Sequence, residues 1–307
     1  MVVFHGFDDY RPLPRPAAVA VGNFDGLHLG HRKILAVLDG LAGSRRLSSL
    51  VLTFDPHPER ALGKRAVRMI DTLEQRLERL RGAGVSAVLV VRFDKGFCGL
   101  SGGDFAERIL RDRLDAREVV VGRDFRFGRN RRAGIAGLEA LGRRLGFGVR
   151  AVAPEVVDGV PVSSSLIRRL LVHGRVEEAA RLLGRPYEIA GTVVEGKALG
   201  RSLGTPTANL RTANEILPDG VFVSATVWRG RLLPSVTSIG TNPTFGRNPV
   251  SVETHILDRQ VRLDGAELTV RLLRKIRPTR KFPDREALAA AIRRDIEAAR
   301  GYFLRQG

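Results

Sequence analysis

"GNFDGLHLGH", residues 22–31, packs three glycines, two histidines and one aspartate into ten residues. It follows an apolar run, Val19-Ala20-Val21, and precedes a stretch with helical spacing, Ile34, Leu35, Leu38 and Leu41. A strand running into a helix N-terminus is the reading this order supports. Such a terminus has unpaired N–H groups and a positive dipole end, so it attracts phosphate. Gly26 and Gly30 allow backbone and ligand to approach closely. His28 and His31 are three apart and fall on one side of the first turn. Two imidazoles there can donate to phosphate oxygens and stabilise charge growing on a phosphorus under attack. The bland alternative is a pair of capping or core histidines.

Outward from this corner, apolar runs alternate with helical patterns. Strands are predicted at 18–22, 49–54, 85–93, 117–122 and 148–153, with helices at about 30–42, 71–82, 102–114 and 134–146. Leu73, Leu77 and Leu80 carry the helical period, and Asp71 with Glu74 has capping-box spacing. The alternation predicts an α/β domain with a parallel, helix-covered sheet and ligands at the carboxyl ends of its strands. Ser163-Ser164-Ser165 opens a basic helical stretch, and a second short helix ends at Gly184. Beyond "GRPY" the pattern becomes short strands separated by Gly, Pro and Asn, which predicts an antiparallel β-barrel with a final helix at about 284–304. The predicted domains are 1–184 and 185–307.

The composition is that of an ordinary globular chain of 307 residues, 43% hydrophobic and 27% charged. No apolar run is long enough for a membrane span, and the N-terminus lacks the pattern of a signal peptide. The single cysteine, Cys98, excludes a cysteine-based zinc cluster and fits a reducing cytoplasm. The net charge of +18 invites a nucleic-acid reading, but 45 of the 51 basic residues are Arg and they are spread along the chain. A solvated basic surface is expected, with no nucleic-acid or membrane partner; it would help attract anionic nucleotides. Oligomeric state, including a homo-oligomer, is open.

Three further segments have a physical reading of their own. In "TFDPHPE" (53–59), Pro56 and Pro58 stiffen the loop that carries His57. In "VGRDFRFGRNRRAG" (121–134), Phe125 and Phe127 offer flat apolar surface for a fused ring, the bland alternative being two core residues. In "VSSSLIRRLL" (162–171), Ser164 and Ser165 can cap a helix and bind phosphate, with Arg168 one turn on.

Taken with the corner, these motifs resemble the HxGH nucleotidyltransferase superfamily. In their form and order they are similar to the prokaryotic bifunctional riboflavin kinase/FMN adenylyltransferase (FAD synthetase) family. The resemblance implies a Rossmann-like nucleotidyltransferase domain followed by a β-barrel kinase domain. In the first it implies catalysis by His28, His31 and Arg168. It implies ATP and phosphate binding by Gly22, Asn23, Phe24, Asp25, Gly30, Ser164 and Ser165, and flavin binding by His57, Asp124, Phe125 and Phe127. "GTVVEGKALGRSLGTPTANL" (191–210) resembles the riboflavin kinase motif. There the resemblance implies Mg²⁺ held by Thr207 and Asn209 with ATP phosphates, and nucleotide binding by Gly196, Gly200 and Arg201, with Gly204 allowing close wrapping. Glu253, in "VETHILD", is implied to take the proton of the ribityl 5′-hydroxyl. The bland alternative for Glu253 is a cross-strand ion pair.

The small-molecule substrates and products implied are riboflavin, FMN, FAD and ATP. The chain departs from the family pattern at Arg123, Thr205, Asn242 and Thr279. An adenylyltransferase with an impaired kinase half is therefore kept as a second expectation.

Overall fold

The computed structural model describes residues 1–63, 67–195, 205–241, 250–258 and 263–306. Its chain divides into two compact units, Met1–Ser163 and Ser164–Gly307.

The first unit is a six-stranded parallel sheet. Its strands are β1 (Val2–His5), β2 (Ala17–Val21), β3 (Ser48–Phe54), β4 (Ala87–Val91), β5 (Ala116–Gly122) and β6 (Gly148–Val152). Their order across the sheet is β1-β4-β3-β2-β5-β6. The apolar runs are continuous because both faces are covered. Val19, Val21, Leu50, Leu52, Leu89 and Val119 pack on one side with Phe105, Leu110 and Leu138. Ala18, Ala20, Val51, Val88 and Val120 pack on the other with Leu35, Leu38 and Leu80. The chain winds from β2 through β3 to β4 in one direction, then restarts at β5 on the opposite flank of β2. The carboxyl end of β2 is thus a switch point, where such sheets open a crevice for ligands. Helix α1 (Leu29–Arg45) begins there.

Most predicted elements lie within two residues of the observed ones. The differences have local causes. Edge strand β1 is only four residues long. The helix expected over 71–82 starts at Leu73, and its capping box is Thr72 with Gln75. Asp71 is one position too early and is instead buried against Arg79 Nε at 2.9 Å. The helix expected over 102–114 runs with π spacing from Phe105 to Arg113.

The second unit opens with helices Ser164–Val172 and Val176–Leu183. A closed antiparallel barrel follows; the short hairpin ahead of these helices, β7 (Val156–Val157) and β8 (Val160–Pro161), belongs to the first unit. The barrel strands are β9 (Tyr187–Val194), β10 (Ala208–Thr212), β11 (Gly220–Trp228), β12 (Arg231–Gly240), β13 (Ser251–Ile256) and β14 (Glu267–Arg277). They close in the order β10-β13-β12-β11-β14-β9. The helix Arg285–Leu304 covers Val221 and Val223 with Ile296 and Ala299. The two helices before the barrel fall in the same compact unit as the barrel.

Five buried hydroxyls form a closed ring inside the barrel. Ser224 meets Ser235 at 2.9 Å and Thr237 at 2.7 Å; Thr226 meets Ser235 at 2.9 Å and Thr254 at 3.4 Å; Thr237 donates to Thr254 at 2.9 Å. Each hydroxyl takes part in two of these bonds, so one sense of donation around the ring satisfies every member.

Candidate active sites

The corner that follows β2 is bent tightly. Phe24, Gly26 and Leu27 have φ of 49°, 80° and 34°. Glycine carries such a value freely, whereas each non-glycine residue costs roughly 1–2 kcal/mol. The bend delivers His28 to the N-cap of α1, where its Nδ1 accepts the His31 N–H at 3.3 Å. In the neutral ring the proton then sits on Nε2, which becomes the donor. The His28 and His31 rings stack, with centroids 3.7 Å apart and planes 16° from parallel. A Cβ at residue 30 would lie 3.2 Å from the His28 ring, which accounts for Gly30 between the histidines.

Asn23 links this corner to the loop after β3. Its carboxamide lies 2.9 Å from His57 Nε2. His57 caps the short helix Pro58–Ala61, its Nδ1 accepting the Glu59 N–H at 3.2 Å. The structure therefore brings Gly22, Asn23, His28, Gly30, His31 and His57 together at the switch point.

Two expected ligand contacts are placed differently. The Phe24 side chain is fully buried and packs against His31, with centroids 5.2 Å apart. Asp25 is also fully buried, and its carboxylate accepts the N–H groups of Ile70 at 3.0 Å and Asp71 at 3.2 Å. An acceptor so enclosed anchors the neighbouring segment, and both residues are 0% exposed in this structure.

In the loop after β5, Asp124 is exposed and Phe125 is half-buried. Phe127 belongs to the core, against Phe105 and stacked on Phe125 with centroids 5.6 Å apart. The expectation of two ring surfaces narrows to Phe125, backed by Phe127. Paired backbone bonds between Phe127 and Ala133 pinch the loop closed. Arg123 is exposed beside it.

Sequence reasoning missed Arg76. Its guanidinium is 1% exposed, and Nη1 donates to the Asn23 carbonyl at 3.0 Å. The same carbonyl accepts from Thr53 Oγ1 at 3.0 Å. Arg76 Nη2 lies 3.7 Å from the Asp55 carboxylate. Burial pushes its pKa below the ordinary arginine value, while Asp25, Asp55, Asp71 and Glu74 pull it back. The available signal was its position between Leu73 and Leu80, on the apolar stripe of the helix.

In the second unit, Ser164 and Ser165 are the first two residues of their helix, so Ser163 occupies the N-cap position; Arg168 follows one turn on. On the barrel, Asn209 of β10 pairs in register with Glu253 of β13, which pairs with Ser238 of β12. Register partners project to the same side of a sheet, so the amide and the carboxylate are neighbours. Glu253 is half-buried, and its Oε1 accepts the Ser251 hydroxyl at 3.1 Å. Among the described residues no basic side chain is paired with Glu253. Thr207 lies just before β10. His255, also missed, donates from Nδ1 to the Pro206 carbonyl at 2.8 Å and ties Thr207 to the strand that bears Glu253. Its signal was a place two residues after Glu253, on the same face.

Gly196, Gly200, Arg201, Gly204 and Asn242 lie outside the described residues. Thr279, one of the departures, donates to Asp219 Oδ1 at 2.6 Å. Among the described residues no helix is long and apolar enough to cross a membrane.

Comparison with known proteins also divides the chain in two, the second match beginning at the end of the helix Val176–Leu183, close to the boundary read from the sequence. Residues 11–166 match the FAD synthetase family model and residues 183–303 the riboflavin kinase model. The bifunctional riboflavin kinase/FMN adenylyltransferase of Pseudomonas fluorescens is 36% identical over 98% of this chain and 97% of its own length. That of Escherichia coli K12 is 35% identical over 99% and 98%. A crystal structure from Streptococcus pneumoniae, described as a macrolide-efflux protein, superposes with a TM-score of 0.87 at 28% identity, over 98% of this chain and 99% of that one. By both family models and by near full-length identity, the chain belongs to the bifunctional riboflavin kinase/FMN adenylyltransferase family.

Proposed function

We infer that the chain makes FAD from riboflavin in two steps. The barrel half transfers the γ-phosphoryl group of ATP to the riboflavin 5′-hydroxyl, giving FMN and ADP. The sheet half then joins FMN to the AMP portion of a second ATP, giving FAD and pyrophosphate. One observation carries this reading: both family matches are present on one chain, each over the half with the corresponding motifs. It also disfavours an adenylyltransferase-only protein.

In adenylyl transfer the FMN phosphate attacks the α-phosphorus directly. The protein's part is to orient two anions and offset their charge. His28 and His31 supply Nε2–H and ring donors beside the positive end of α1; the part of Ser164, Ser165 and Arg168 in holding the leaving pyrophosphate rests on the family motif alone. His57, Asp124 and Phe125 hold the flavin.

In phosphoryl transfer Glu253 accepts the proton of the 5′-hydroxyl as that oxygen attacks. Thr207 and Asn209 offer a hydroxyl and an amide oxygen, donors that suit a hard cation. Among the described residues no group of three His, Cys, Asp or Glu could hold a metal. By the family motif, Mg²⁺ would be held by Thr207 and Asn209 jointly with ATP phosphates, where it would offset their negative charge. The substrates are small molecules, and the work needs neither nucleic acid nor membrane. A reducing cytoplasm suits a chain with one cysteine.

The test is to incubate the chain with riboflavin, ATP and Mg²⁺ and resolve the flavins by HPLC. FMN should rise first and FAD follow. FMN without FAD, or no conversion of riboflavin beside FAD made from added FMN, refutes the two-step reading.

A further inference from the structure

Three of the five residues from Phe24 to His28 have left-handed φ. Such a bend persists only where its surroundings over-determine it. Two donors converge on the peptide at its start. The Asn23 carbonyl accepts from Arg76 Nη1 and from Thr53 Oγ1, each at 3.0 Å. The same residue's side chain meets His57. One residue therefore connects the buried guanidinium, the bent corner and the histidine of the neighbouring loop. Arg76 is itself fixed, since its guanidinium is buried and one arm lies beside Asp55.

We propose that Arg76 is a positioning residue for adenylyl transfer: with Thr53 it holds the Asn23 carbonyl, and through it the corner that presents His28, His31 and His57. The role rests on the assignment of adenylyl transfer to this site. Arginine suits the task because its planar fork can address the carbonyl and the Asp55 carboxylate at once. Lysine keeps the charge but offers a point donor, so Arg76→Lys perturbs position without leaving the neighbouring carboxylates uncompensated. Thr53→Val is close to isosteric and removes the other donor on the same oxygen.

The experiment measures both activities of the full chain, well below its melting temperature, for Arg76→Lys, Thr53→Val and the double variant. Arg76→Lys should lower kcat for FAD formation from FMN by about 10–100-fold, the range typical of supporting-shell substitutions, while KM moves far less. Thr53→Val should lower it by a smaller factor. The double variant should lose less than the product of the two factors, because both act on one oxygen. FMN formation from riboflavin should be unchanged in all three. A lowered melting temperature with wild-type kcat for FAD formation overturns the proposal, as does strictly multiplicative loss. Should Arg76→Lys not fold, wild-type kcat in Thr53→Val overturns it equally. A wild-type chain that makes no FAD overturns both the site assignment and the role of Arg76. Wild-type activity that survives the variants overturns the role alone.

Discussion

Asn209 and Glu253 face each other across β10 and β13 as register partners, so the amide proposed to hold Mg²⁺ and the proposed base sit side by side on one barrel face. Among the described residues, the Ser251 hydroxyl and not a cation meets the carboxylate. Its contribution should therefore lie in the transition state. We expect Glu253→Ala to lower kinase kcat by ~10²–10⁴-fold, the usual range for a general base, with little change in riboflavin or Mg-ATP dissociation constants. FAD formation from added FMN should continue. Single-turnover kinetics with thermal melts on the same preparation check this; a destabilised variant with wild-type kinase turnover would refute the assignment.

The stacked pair His28 and His31 belongs to the other half. Replacing both with Ala should abolish FAD formation and leave FMN formation intact, because the corner they occupy lies within the residues that match the FAD synthetase model alone. Loss of both activities in folded protein would contradict the division of labour. HPLC of the flavins made from riboflavin reads both outcomes at once.

The corner was legible in the sequence because its chemistry is local. A strand, followed by three glycines and two histidines within ten residues, needs no distant contact to be read. The barrel was legible from turn residues, although β10 was hidden inside a motif read for its ligands. What stayed hidden depends on long-range pairing. Arg76 reaches Asn23 from 53 residues away, and nothing near position 76 names its partner. Asp25 and Phe24 carry the look of ligand contacts, yet burial turns both inward. Phe127 looks like Phe125 in the sequence, and only packing separates a core ring from a half-exposed one.

The hydroxyl ring was equally hidden, and it is open to test. Thr254→Val removes one member and leaves Thr226 and Thr237 each short of a partner. A buried polar group without a partner costs about 1–3 kcal/mol, so urea unfolding of the barrel should shift by that amount. Replacing Thr237 and Thr254 together removes both ends of one bond, and the double loss should be smaller than the sum. Additive losses would mean that the hydroxyls act separately.

The place where the barrel half can be cut follows from what the helix Val176–Leu183 buries. Val176, Ala179, Leu182 and Leu183 are buried, and the helix packs on β9 and β14. A fragment of residues 186–307 has the strands and the kinase motif but exposes the surface these side chains cover. Each large apolar side chain contributes about 1.5–3 kcal/mol on burial. Losing three of them is comparable with the whole stability of a small domain, about 5–15 kcal/mol. We therefore expect residues 164–307 to fold alone and make FMN from riboflavin, and residues 186–307 to be much less stable. Circular dichroism melts and a riboflavin kinase assay on both fragments decide it. If 186–307 melts at the same temperature as 164–307, the two helices contribute nothing to the barrel, and the earlier boundary at 184/185 stands as the unit of folding.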